Sequence, residues 1–192
     1  MSTRDYLVID LEATCDDRGA VPKREMEIIE IGAVLVDGEN FEPIAELQTF
    51  VRPVLHPTLT PFCRELTSIT QAEVDAAPGF VDAIAQLRAF VDEHTHGLRP
   101  LFCSWGAYDL HQFELDASRH RVGLPFGGEH LNVKQAFSDA LGTRKRFGMA
   151  GALRQLGLEL VGTHHRGIDD ARNIARILPF ALGVVAIPPR RR

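Results

Sequence analysis

The chain is short of the features that mark several common protein classes. Its 192 residues include three cysteines, Cys15, Cys63 and Cys103, odd in number, widely separated and never arranged as Cys-x-x-Cys. That spacing excludes a dense disulfide framework and offers no zinc pattern, so a reducing cytoplasm is the expected location. No apolar run is long enough to span a bilayer. The longest near the C-terminus is broken by Pro179, Gly183 and Pro188, and the N-terminus enters an apolar strand with no hydrophobic leader, so neither membrane insertion nor export is expected. Positive charge is scarce too: 21 Lys and Arg stand against 26 Asp and Glu, a formal net charge of −5. The chain therefore lacks the overall basic field of a protein that coats nucleic acid. Chemistry on phosphates is not excluded, because bound cations and a local basic surface can supply what the whole molecule lacks. Repeats, low-complexity blocks and long linkers are absent as well. The 45% of apolar residues then serve a single domain over 1–192, with a core over about 5–182, a tail over 183–192 and a solvated end at Pro188-Pro189-Arg190-Arg191-Arg192.

Within that domain the hydrophobic period changes partway along. Tyr6-Leu7-Val8-Ile9 is a compact run of strand formers, and Ile28-Ile29-Glu30-Ile31-Gly32-Ala33-Val34-Leu35-Val36 is a second, closed by the turn signal Asp37-Gly38. Leu47-Gln48-Thr49-Phe50-Val51 follows with alternating character, which predicts an antiparallel meander. Farther on, Phe80, Ile84, Leu87 and Val91 recur at helical spacing. Leu101-Phe102-Cys103 is a short strand, a helix starts at Leu110, and Leu131-Asn132-Val133 is a last brief strand. A short amphipathic helix through Met149, Leu153 and Leu156 stops at Gly157. The final helix runs from about Ile168 with Asp169 as its N-cap, and Pro179 is expected to end it. Strands in a meander and then alternating with helices predict an α/β architecture, a mixed sheet flanked by helices.

Four acids and one histidine stand at the edges of these elements. Asp10 and Glu12 are two apart at the end of a strand, so both project to one side and can share a cation. Alone, such a pair is a common way for a strand to end in water. Asp109 either caps the helix after it or presents a carboxylate to a cleft, and both can hold at once. His165 precedes Asp170 by five positions on a loop, and Asp170 falls in the first turn of a helix, where a carboxylate is favoured. Each feature alone is unremarkable. Together they offer carboxylate oxygens for hard divalent cations and a base that works near neutral pH, the requirements of metal-assisted phosphodiester hydrolysis.

The matching text is extensive: Ile9-Asp10-Leu11-Glu12-Ala13-Thr14-Cys15, Glu27-Ile28-Ile29-Glu30-Ile31-Gly32, Phe50-Val51-Arg52-Pro53, Leu66-Thr67-Ser68-Ile69-Thr70, Ser104-Trp105-Gly106-Ala107-Tyr108-Asp109, and the segment from His165 to Ala175. On these residues the chain, over roughly 5–180, resembles the DEDDh family of 3′→5′ exonucleases, most closely its Eri-type exoribonuclease branch. The resemblance implies an RNase H-like mixed five-stranded sheet flanked by helices. It implies Asp10, Glu12, Asp109 and Asp170 as ligands of two Mg²⁺ ions, replaceable by Mn²⁺, and His165 as the base that takes a proton from the attacking water. A His-x4-Asp spacing selects Asp170 over Asp169. It further implies a single-stranded nucleic acid engaged at its 3′ end and a nucleoside 5′-monophosphate product. Leu11, Ala13, Thr14, Leu66, Ile69 and Tyr108 are the implied contacts of the terminal nucleotide. Leu11 and Leu66 are equally open to a core role, and Tyr108 either joins the core or offers a stacking platform. Arg144-Lys145-Arg146 either meets upstream phosphates or is a solvated loop. RNA and DNA remain open as substrates, and the alternatives are a non-catalytic binding adaptor or a nuclease active only in a larger assembly.

Overall fold

The computed structural model describes residues 4–95 and 98–189; the arginines of the expected solvated tail, Arg190 to Arg192, lie outside the described residues. Strand β1 is Tyr6–Ala13, β2 Ile28–Val36 and β3 Pro43–Phe50. They form the expected antiparallel meander, with Tyr6 opposite Val36 and Glu12 opposite Glu30. Strand β4, Leu101–Ser104, pairs in parallel with β1, and β5, His130–Asn132, pairs in parallel with β4. The order β3-β2-β1-β4-β5 completes a mixed five-stranded sheet. Every residue of β2 is buried, because helices cover both faces of the sheet there.

Side-chain alternation along β1 decides what each face receives. Leu7, Ile9 and Leu11 point into a core with Ile84 and Leu87 of α3 (Phe80–His94) and Phe113 of α4 (Tyr108–His120). Val8 points the other way, into a core with Phe137 of α5 (Val133–Ala140), Leu153 of α6 (Met149–Leu156) and Ile174 of α7 (Gly167–Ala181). Asp10 and Glu12 continue the Val8 side and so emerge next to the start of α7.

Two short helices that hydrophobic period did not reveal lie between β3 and α3. Helix α1, Pro61–Thr67, starts from Thr60, whose hydroxyl accepts the Cys63 N–H, with Pro61 at its first position. Helix α2, Gln71–Asp75, starts from a capping box between Thr70 and Glu73. Helix α5 was likewise not expected; Asn132 caps it by accepting the Gln135 N–H at 2.9 Å, so Val133 opens a helix instead of closing a strand. Strand β3 begins at Pro43, four residues before Leu47.

The final helix departs from expectation at both ends. Pro179 lies inside α7, which continues to Ala181. The proline removes one donor, but in the last turn, and Leu178 and Ala181 are held in the core while the Leu182 N–H still reaches the Leu178 carbonyl at 3.0 Å. The helix ends when the Pro179 carbonyl accepts the N–H groups of Val184 and Val185. At the other end Arg166 occupies the cap position without a side-chain bond. Asp169 is therefore not the cap but a first-turn residue, accepting the Thr163 N–H at 2.8 Å and Arg172 at 2.9 Å.

Helix α7 packs unusually close to the sheet. A Cβ added to Gly32 would lie 2.1 Å from the Gly167 carbonyl carbon and 2.1 Å from the Ile168 nitrogen, so only glycine fits there. Beside it Glu30, fully buried, accepts the Gly167 N–H at 3.0 Å and a bond from Gln48 at 2.7 Å. Arg166 lies 3.6 Å from Glu30 and 3.7 Å from Glu73. These contacts fix the segment that carries His165 and Asp170.

Candidate active site

Three elements deliver the expected acids to one cleft of about 380 Å³. Strand β1 brings Asp10 and Glu12, the first turn of α4 brings Asp109, and the first turn of α7 brings Asp170. Helix α4 begins at Tyr108, two residues before the expected start, so Asp109 is not its cap. Its buried carboxylate accepts the Leu11 N–H at 3.1 Å, tying α4 to β1. Asp170 accepts the His165 N–H at 3.1 Å and meets His164 Nδ1 at 2.9 Å. His165 takes a left-handed backbone conformation, φ 64°, which turns its ring into the cleft with Nδ1 4.0 Å from a Glu12 oxygen. The two imidazoles stack with centroids 4.0 Å apart.

Oxygens of Asp10, Glu12 and Asp170 all lie within 4.8 Å of one another. Burial pushes the Asp10 carboxyl well above the ordinary range, and the charges of Asp109, Asp170 and Glu12 add to it. Burial, then Asp170 and Glu30, push Glu12 up to about 9. Asp109 is raised by burial to about 6, with the Leu11 N–H working in the opposite direction. Asp170 is raised by burial against the pull of His164. His165 moves the other way: burial and the neighbouring His164 lower it, so its ring is neutral and able to accept a proton at neutral pH.

Carboxylates gathered this closely in a low-dielectric cleft resist ionisation unless a cation compensates them. Arg166, the guanidinium beside His165 in sequence, is directed at Glu30 and Glu73 instead. The all-oxygen donor set fits a hard divalent ion, and such an ion displaces the protons that the acids otherwise keep. Asp109 stands outside the tight triad but within electrostatic reach of Asp10.

The expected contacts of the terminal nucleotide divide in two. Leu11, Ala13, Leu66 and Tyr108 line the cleft. Leu66 on α1 is 37% exposed, so it is a wall residue and not core, whereas Leu11 is both, packing inward while edging the cleft. Tyr108 sits on the rim, 47% exposed. Thr14 and Ile69 do not line it. The buried Thr14 hydroxyl accepts the Glu27 N–H at 2.9 Å, fastening the end of β1 to β2. Ile69 is 1% exposed, in a small core with Ile29, Leu59 and Val74. Both are close in sequence to cleft residues but sit where backbone fastening and core packing need them.

Sequence reasoning passed over His164, Cys15, Met149 and Trp105, all of which line the cleft. Trp105 is the single tryptophan of the chain, and its indole N–H is anchored on the Phe147 carbonyl at 3.2 Å. Its composition signal was available, since a lone tryptophan inside an acid-bearing motif is a natural ring for a cleft wall. Arg144-Lys145-Arg146 immediately precede that wall.

The family model described as Exonuclease, RNase_T, matches residues 7–178. ERI1 exoribonuclease 3 of Mus musculus is 35% identical over 179 residues, 90% of this chain and 52% of that protein. The 3′-5′ exonuclease eri1 of Schizosaccharomyces pombe is 32% identical over 200 residues, 91% of this chain and 67% of that protein. The chain thus spans about half the length of the first of these relatives. Among solved structures, the nuclease domain of 3′hExo, a DEDDh family member bound to rAMP, superposes with a TM-score of 0.84 at 29% identity, over 91% of this chain and 90% of that one. The expected RNase H-like sheet is therefore shared with DEDDh exonucleases.

Proposed function

The chain belongs to the RNase_T exonuclease family, and on that premise we propose that it shortens single-stranded RNA from the 3′ end, releasing nucleoside 5′-monophosphates. The observation that carries this reading is the meeting of three carboxylates within 4.8 Å of one another and a histidine 4.0 Å from one of them in a single cleft. Asp10, Glu12 and Asp170 would hold the divalent cations, Mg²⁺ with Mn²⁺ as a substitute, and Asp109 would complete the set around Asp10. When bound, such ions supply positive charge against the phosphodiester and acidify an attacking water.

The chain's own groups do the rest. His165, neutral because burial and His164 lower its pKa, accepts the proton of the attacking water and orients it. The stacked His164 and the left-handed backbone fix the ring in place. Leu11 and Leu66 form apolar walls for the terminal base, and Trp105 and Tyr108 offer ring faces to it. The backbone from Leu11 to Ala13 borders the terminal sugar, next to the Glu12 carboxylate. A phosphate on the 3′ oxygen would bring its negative charge against Glu12, so a free 3′ hydroxyl is preferred. The free thiols of Cys15, Cys63 and Cys103 accord with the cytoplasmic setting we propose.

The test is a panel of matched RNA and DNA oligonucleotides, single- and double-stranded, 5′-labelled, with 3′ hydroxyl or 3′ phosphate ends. The expected result is a ladder that needs Mg²⁺ or Mn²⁺, strongest on single-stranded RNA and suppressed by the 3′ phosphate. Intact substrate throughout, with binding that survives chelation, would instead identify a non-catalytic adaptor.

A further inference from the structure

Four elements meet around the side chain of Arg166, next in sequence to His165. Its Nε lies 3.6 Å from the Glu30 carboxylate on β2, and its Nη2 lies 3.7 Å from the Glu73 carboxylate on α2. The guanidinium carbon sits over the Phe50 ring at the end of β3, 5.2 Å from its centroid. The arginine side chain is 18% exposed and Glu30 is fully buried, so water and salt screen these contacts weakly. Among the described residues no other cation pairs with Glu30.

The backbone of Arg166 is part of the turn that presents the histidine. Its N–H donates to the Thr163 carbonyl at 3.2 Å, closing the turn that carries His164 and His165, and its carbonyl accepts the Asp170 N–H at 2.9 Å. Glu73 is part of the structure behind a cleft wall. Its Oε2 accepts the N–H and the hydroxyl of Thr70 at 2.7 and 2.8 Å, in the capping box that starts α2, while its Oε1 faces Arg166. From Thr70 the chain runs back through Ile69 and Ser68 to α1, whose Leu66 lines the cleft. Val74 of α2, Cys63 of α1 and Ile69 share one small core with Ile29, and Phe50 packs against it. The two short helices are therefore one packed unit. Neither Arg166 nor Glu73 is among the residues that line the cleft.

We propose that Arg166 is a positioning residue: it ties the histidine turn to the α1–α2 unit through Glu73 and Phe50, with the buried Glu30 as its anchor. The base and the Leu66 wall are thereby held at one separation. Arginine suits this task because its planar fork presents Nε and Nη2 to two acids at once while its face rests on a ring. Lysine offers a single point charge, which can stay with Glu30 while the link to Glu73 is lost. The consequence for turnover rests on the function proposed above. There His165 serves the chemical step and Leu66 the grip on the terminal nucleotide, so loosening one link shows in both kcat and KM.

Two conservative variants and their combination test the link. Glu73→Gln keeps the capping box, which takes glutamate or glutamine at the third helical position, and removes the charge that Arg166 faces. Arg166→Lys keeps a cation beside Glu30. In each variant kcat is expected to fall about tenfold, less than the roughly 100-fold that a 1 Å misplacement can cost, and KM for a short RNA to rise by a smaller factor. The double variant should be no worse than Arg166→Lys alone, because both changes break the same contact. Hydrogen–deuterium exchange without substrate reads the link apart from activity. Glu73→Gln, although it lies on α2, should speed exchange in peptides covering Thr163 to Asp170. Faster exchange confined to α1 and α2, losses that multiply in the double variant, or native kcat in either single variant, whatever its melting temperature, would each overturn the inference. Faster exchange across the link in a chain that degrades no RNA would instead fail the functional reading and leave this coupling standing.

Discussion

Glu12 keeps its proton at neutral pH while no cation faces it, because burial and the carboxylates of Asp170 and Glu30 raise it to about 9. An unfolded glutamate titrates near its ordinary value of 4.5, so between these two values the folded chain holds a proton that the unfolded chain has lost. Stability must then fall as pH rises through that window, the reverse of an ordinary salt-bridged acid. Glu12→Gln removes the titrating group. In chelator its melting temperature should vary less between pH 5 and pH 9 than that of the native chain, and should exceed it at pH 9. Manganese should stabilise the native chain more than the variant. Turnover in the variant should fall by at least about 100-fold, the upper end for loss of even an outer partner of a metal ligand. Asp10→Asn should behave likewise, since burial raises Asp10 in the same sense. A variant that degrades RNA at the native rate would show that these acids do not hold the cations.

At the level of elements, the start of α7 depends on two glycines in contact. Gly32→Ala places a methyl 2.1 Å from backbone atoms of Gly167 and Ile168, and backbone cannot rotate aside as a flexible side chain can. We expect a loss of about 1–3 kcal/mol in chemical denaturation, with turnover falling as well, because the displaced segment carries His165 and Asp170. Gly127→Ala, with nothing within 4 Å of the added carbon, is the control and should be neutral in both assays. Native turnover in Gly32→Ala would mean that α7 is not positioned by this contact. The meander was legible because buried strands leave long β-branched runs, the parallel strand β4 only as a short apolar run, Leu101-Phe102-Cys103, ahead of Asp109, and the acids because they fall at strand and helix ends. Helices α1 and α2 escaped a reading by period, since five to seven residues hold too few turns to repeat, though Thr60-Pro61 and Thr70 with Glu73 were start signals in plain view. Pro179 misled because the rule that proline ends a helix weighs one lost bond, whereas here core burial of Leu178 and Ala181 outweighs it in the final turn. Ile69 and Thr14 show the same limit at the site: sequence adjacency to a cleft residue does not say which way a side chain faces.

For the molecule as a whole, the excess of negative charge sets how nucleic acid can be held. With a net charge of −5 and an acidic cleft, attraction must be local, and Arg144-Lys145-Arg146 lie directly before the wall formed by Gly148, Met149 and Trp105. Arg146 is engaged with Gln135 and the Lys145 ammonium lies 5.0 Å from the centre of the Phe147 ring, a weaker hold, so Arg144 and Lys145 are the cations expected to meet the strand upstream of the scissile bond. Each phosphate neutralised on a single strand contributes about 0.7 to the slope of log affinity against log salt. A noncleavable phosphorothioate strand, titrated in manganese over a range of salt, should therefore give a slope no steeper than about −2, shallow for a nucleic-acid binder. Replacing both residues, Arg144→Ala with Lys145→Ala, should flatten it by about 1.4 and weaken binding to RNA and DNA alike. The rate at saturating strand should be unchanged, because neither side chain reaches the acids. An unaltered slope in the double variant would leave this run as a solvated loop and place the phosphate contacts elsewhere on the cleft rim.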